Sequence, residues 1–150
     1  MKLHRLIGAT AIVVASVGLT LGASAATVKY QIVDHGIQKS LTGKAGDAKA
    51  GRKVAYNRKT GNCLACHKLP IPEQQFHGEV GPDLGGVASR YKEAELRLRI
   101  VDSKQFNEDT IMPAFYRDTG LHRLGKKWVG KTILKPQEVE DLLAYLMTLK

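Results

Sequence analysis

Cys63-Leu64-Ala65-Cys66-His67 contains both cysteines of the chain and follows them directly with a histidine. Cys-x-x-Cys-His is the attachment pattern of a c-type haem. Residues three apart on one helical turn share a face, so both thiols can meet the vinyl groups on one edge of a porphyrin while His67 turns its imidazole towards the iron. A disulfide, a redox dithiol or half of a zinc site would use the same residue types. Zinc needs two further ligands, and there is no second cysteine pair. A thioredoxin-like dithiol sits at the end of a strand, whereas Asn57-Arg58-Lys59-Thr60-Gly61-Asn62, ahead of Cys63, reads as a turn. Haem is the chemistry the motif favours.

An iron held by His67 needs a second axial ligand. Met112 stands in Thr110-Ile111-Met112-Pro113-Ala114-Phe115, where the proline forces extended backbone on the residue before it. A loop methionine pinned in this way can hold its sulfur at a fixed point. Met147 falls near the end of the last predicted helix, where core packing is the usual role of methionine, and packing remains the alternative for Met112 as well. His35, His77 and His122 are rival ligands, each among polar or loop residues. A thioether opposite an imidazole raises the reduction potential and fills both axial positions, which suits the passage of single electrons and leaves no vacancy for oxygen or peroxide. The His67 ring should donate its outer N–H to a carbonyl, and Pro82 in Gly81-Pro82-Asp83-Leu84 is the candidate acceptor, an ordinary turn being the other reading.

The elements that must position these groups follow from pattern. Lys2 and Arg5 precede an uncharged run that ends in Ala23-Ser24-Ala25, so residues 1–25 read as a cleaved signal peptide and the mature protein as periplasmic. The run is just long enough to act as an uncleaved anchor instead, but its Gly, Ser, Thr and Ala content makes it weakly apolar. The net charge of +9 stays positive after the leader is lost. In an exported protein that favours an acidic protein partner, or only a solvated basic surface, over nucleic acid. Residues 26–45 read as an extended N-terminal arm and residues 46–150 as one domain. Asp47 should cap a helix over residues 48–57, Pro70 and Pro72 break the turn that carries His67, and residues 91–101 favour a helix, although Leu-Arg-Leu-Arg leaves a strand possible. Pro136 should open the last helix, with Val139, Leu142, Leu143, Leu146 and Leu149 along one stripe. Gly51 inside the first helix implies close approach of another backbone, proposed to be the last helix, with Leu142 and Tyr145 against Gly51 and Val54. An all-α fold of four to five short helices around one covalently bound haem follows.

Taken together, the first helix, Cys-x-x-Cys-His, Gly-Pro-Asp-Leu, a later Met-Pro and a closing helix with Leu142 and Tyr145 resemble the class I cytochrome c family. Gly81-Pro82-Asp83-Leu84-Gly85-Gly86-Val87-Ala88, Ile100-Val101-Asp102, Met112-Pro113-Ala114-Phe115-Tyr116 and Gly130-Lys131-Thr132-Ile133-Leu134 are similar to the SoxX family, the monohaem subunits of the Sox sulfur-oxidation system, over roughly residues 45 to 150. That resemblance implies haem c with His67 and Met112 as ligands, and a SoxA-like cytochrome as partner. It further implies a share in an L-cysteine S-thiosulfotransferase that couples thiosulfate to a cysteine of the carrier SoxY, with electrons leaving to a downstream cytochrome acceptor. The bond-forming site of that family lies in the partner, which agrees with a chain that has no cysteine to spare. Glu108 stands where the family usually has proline, and Lys135 where a Ser or Thr would cap the last helix.

Overall fold

The computed structural model describes residues 27–150, so the leader expected over residues 1–25 lies outside the described residues. Helix α1, Ala48–Tyr56, begins where Asp47 Oδ1 accepts the Lys49 and Ala50 N–H groups at 2.8 and 3.3 Å. Those donors have no carbonyl one turn earlier, and the aspartate supplies the missing acceptor. Gly51, Val54 and Ala55 form its buried face. The last helix, α4, runs Pro136–Leu146 and buries Val139, Leu142, Leu143, Tyr145 and Leu146. Lys135 brings no capping oxygen, but the Glu138 carboxylate reaches back to its N–H at 2.8 Å, so half of a capping box remains.

The two helices cross at Gly51, where a Cβ would overlap the Asp141 carbonyl and the Leu142 amide. The N-terminal end of α1 is also tied to the middle of α4, because the Asp47 N–H donates to Asp141 Oδ1 at 2.9 Å. Gly51→Ala gains about 1 kcal/mol of helix propensity and loses more by forcing two backbones apart. A net destabilisation of about 1–3 kcal/mol is expected in urea unfolding of the holoprotein; an unchanged midpoint would mean that the helices can separate at no cost.

Between these helices lie a single turn, α2 (Val87–Arg90), and α3 (Glu93–Asp102). The Leu-Arg-Leu-Arg stretch is helical. Arg97 pairs with Glu93 at 2.6 Å and Arg99 with Glu95 at 2.8 Å, each four residues back, a spacing that only a helix brings together. Leu96, Arg97, Leu98, Ile100, Val101 and Asp102 are all buried, so α3 is enclosed nearly all round and shows little of the one-sided pattern of a surface helix. Its last carbonyls lack intrahelical donors. The N–H groups of Phe115 and Tyr116 meet the Ile100 and Val101 carbonyls at 3.3 and 3.1 Å, which lays the segment after Met112-Pro113 along the helix end.

The segment read as an arm is extended without joining a sheet; among the described residues the β pairing is one isolated bridge, Val33 to Gly36. Its second half belongs to the core, with Ile37 and Leu41 buried. The Ile37 N–H donates to the Ala94 carbonyl at 2.9 Å and the Leu41 N–H to Glu140 Oε1 at 2.9 Å. Arg97 completes the fastening: it donates to the Ile37 carbonyl at 2.8 Å and to both Glu140 oxygens at 3.1–3.2 Å. Among the described residues no helix is long and apolar enough to cross a membrane.

Candidate haem site

Asn62, in left-handed backbone, turns the chain out of α1 into a 3₁₀ turn over Cys63–Ala65. Residues three apart eclipse in that geometry, which sets Cys63 and Cys66 on one side. The Cys63 carbonyl accepts from both the Cys66 and His67 N–H groups, at 3.1 and 2.9 Å, and so closes the turn. The two cysteines form no disulfide. Loss of solvation pushes the Cys63 thiol up to about 12, the reverse of the lowered value that makes a redox dithiol or a thiolate ligand reactive. Among the described residues no three His, Cys, Asp or Glu side chains converge to hold a metal ion.

The loop after His67 returns along the turn through backbone bonds from Gly78 N–H to the Leu64 carbonyl (2.7 Å), Gly81 N–H to the Cys66 carbonyl (2.8 Å) and Leu84 N–H to the Lys68 carbonyl (2.9 Å). An Arg52–Glu73 ion pair at 2.5 Å ties its middle to α1, and the guanidinium holds the Glu73 carboxyl below the usual carboxylate range. This course brings the Pro82 carbonyl to 2.7 Å from His67 Nδ1. A carbonyl only accepts, so Nδ1 carries the proton and Nε2, across the ring, keeps its lone pair for a metal. Gly81 is required by the same approach: a Cβ there would run into the imidazole. The residues thus fit a covalently attached haem. Tyr145 lies within electrostatic reach of Cys63, and its hydroxyl is buried with no partner among the described residues.

Met112 is half-buried against the core, with its N–H donating to Thr110 Oγ1 at 3.2 Å and its carbonyl accepting from Ser103 Oγ at 3.0 Å. Met147 is also half-buried, at the end of α4. Of the rival histidines, His35 lies exposed in a left-handed turn, His122 is exposed, and His77 Nδ1 accepts the Leu69 N–H at 3.3 Å. Ser103, Lys104 and the buried Arg97–Glu140 pair take no part in the sequence reading of the site, because each acts on a partner that no local pattern links to it.

The cytochrome c family model matches residues 48–150. The chain belongs to the cytochrome c family. Its architecture is the all-α class I cytochrome c fold, and Cys63 and Cys66 carry one covalently bound haem c. In the crystal structure of SoxXA from P. pantotrophus, one chain is 36% identical to this cytochrome, which matches it over 83% of its own length and 97% of that chain, with a TM-score of 0.76. The cytochrome is SoxX-like. Among curated proteins none matches it.

Proposed function

We propose that this cytochrome passes single electrons as the SoxX-like subunit of a periplasmic SoxAX-type heterodimer, with His67 and Met112 as the axial ligands of its haem. The observation that carries this reading is the His67–Pro82 hydrogen bond, which leaves Nε2 unprotonated and aimed away from the anchoring carbonyl. Haem c supplies a one-electron iron couple. His67 is the basic ligand, made more so by the Pro82 carbonyl. Met112 is the soft ligand, which favours reduced iron and excludes small molecules from the second face.

Both cysteines are consumed in attachment, so this subunit has no thiol to bond thiosulfate. Coupling thiosulfate to a carrier thiol, such as that of SoxY, forms one sulfur–sulfur bond and releases a proton and two electrons. That bond is assigned to the SoxA-like partner, and this subunit relays the electrons one at a time to a downstream cytochrome. Val28, Ile32 and Val33, close together on the arm, stay exposed and offer apolar surface to a protein partner. The basic charge favours an acidic one, and the Lys2–Ala25 leader pattern supports export.

Co-purification from cells that produce both subunits tests the proposal. A second haem-bearing chain should elute with this one in equal amount. Elution alone at micromolar concentration would instead make it a free-standing electron shuttle.

A further inference from the structure

Asp102, which ends α3, and Ser103 and Lys104, which follow it, bond to the segment that carries Met112 or to residues on either side of it. Lys104 Nζ donates to the Glu108 and Thr110 carbonyls, both at 2.8 Å. Ser103 Oγ donates to the Met112 carbonyl at 3.0 Å. Asp102, fully buried, takes Arg117 Nη1 at 3.0 Å and Gln105 Nε2 at 3.1 Å on the same oxygen. The near side of this loop is otherwise held by bonds from the Phe106 and Asn107 N–H groups to the Ser103 carbonyl and by half-buried Phe106 under Arg99, while Asn107, Glu108 and Asp109 are exposed. Beyond Met112 the chain is anchored again by Ala114, Phe115 and Tyr116, all buried.

We propose that Ser103 and Lys104 are positioning residues that moor the Met112 loop and thereby decide how readily its thioether leaves the iron; this rests on the reading of Met112 as an axial ligand. An ammonium that spends two donors on loop carbonyls forms charge-assisted bonds, stronger than neutral ones. Pro113 limits the Met112 backbone, and the Ser103 bond then sets the position of that backbone relative to α3. Methionine dissociation requires the loop to lift, and lifting breaks these bonds first.

The test uses ferric holoprotein with cyanide as an external ligand, which enters only after the methionine has left. Lys104→Met keeps the side-chain stem and removes the donors; Ser103→Ala removes one bond. Each should speed cyanide entry on the order of tenfold, the weight of one such hydrogen bond, and weaken the far-red sulfur-to-iron band, while the Soret band and far-ultraviolet dichroism stay as in the parent. Lys104→Arg should recover most of the parent rate. Parent-like cyanide rates in both Lys104→Met and Ser103→Ala would overturn the mooring. If Lys104→Met fails to fold, Ser103→Ala and Lys104→Gln, which is neutral and shorter and so cannot repeat both charge-assisted bonds, decide the matter by the same rate. Met112→Ala separates the two layers of inference: a surviving far-red band in that variant overturns Met112 as ligand, whatever Lys104 does.

Discussion

Met112→Ala is expected to abolish the far-red sulfur-to-iron band of the oxidised protein. The alanine methyl cannot donate to iron, and the imidazole of His67 is left as the single strong protein ligand. Two further changes follow from the same loss. The ferrous protein should bind carbon monoxide, which the parent should ignore because both axial positions are filled. The reduction potential should fall, on the order of 0.1 V or more within the roughly 0.8 V that axial ligands command, since soft sulfur no longer favours reduced iron. Optical spectra and a redox titration of the purified holoprotein suffice. A band that persists would pass the role to Met147, the other half-buried methionine among the described residues.

Glu140→Ala is expected to destabilise the protein by about 3–5 kcal/mol, the largest stability effect anticipated for a single polar change. Arg97 and Glu140 are each 4% exposed, and their ion pair at 3.1 Å is the core of a network that also takes in Glu93, the Ile37 carbonyl and the Leu41 N–H. Removing the carboxylate leaves the buried guanidinium with only the largely exposed Glu93 as a counter-charge and leaves the Leu41 N–H without its acceptor. Replacing both partners should be milder. Arg97→Met with Glu140→Leu removes two desolvated charges together and fills their space with apolar atoms. Urea unfolding of the single and double variants measures the difference. A double variant no more stable than Glu140→Ala would locate the cost in the lost backbone bonds to Ile37 and Leu41, not in the uncompensated charge.

This network also marks where sequence reading stops. Caps and turns are local, so Asp47 opening α1 and Pro136 opening α4 are legible from a few neighbouring residues. Gly51 is legible for a different reason: a glycine at a buried helical position has few explanations besides close contact with another backbone. The Cys63–His67 turn declares its chemistry because three reactive residues share one short spacing, and the Pro82 carbonyl can be nominated because proline has an acceptor and no donor of its own. Arg97 sits in a Leu-Arg-Leu-Arg stretch whose apolar residues favour a helix while the alternation leaves a strand possible, and the Glu93–Arg97 and Glu95–Arg99 spacings are a further signal for the helix. The pairing of Arg97 with Glu140 crosses between elements, as do the bonds from Ser103 and Lys104 to the Met112 loop, and no periodicity encodes them. The burial of Ile37 and Leu41 was hidden in the same way, by polar neighbours that make residues 36–45 look like solvent-facing loop.

The crossing of α1 and α4 has a temporal side. Its hydrogen bond from Asp47 to Asp141 joins residues 94 apart, so the first helix waits for nearly the whole domain to be made before its partner exists. Closing so long a stretch of chain costs entropy before the contact rewards it, so this crossing slows folding. The cysteine turn directly follows α1, while α4 comes about 70 residues later in the chain. A chain that emerges N-terminus first therefore presents both thiols before the closing helix is there to cover α1.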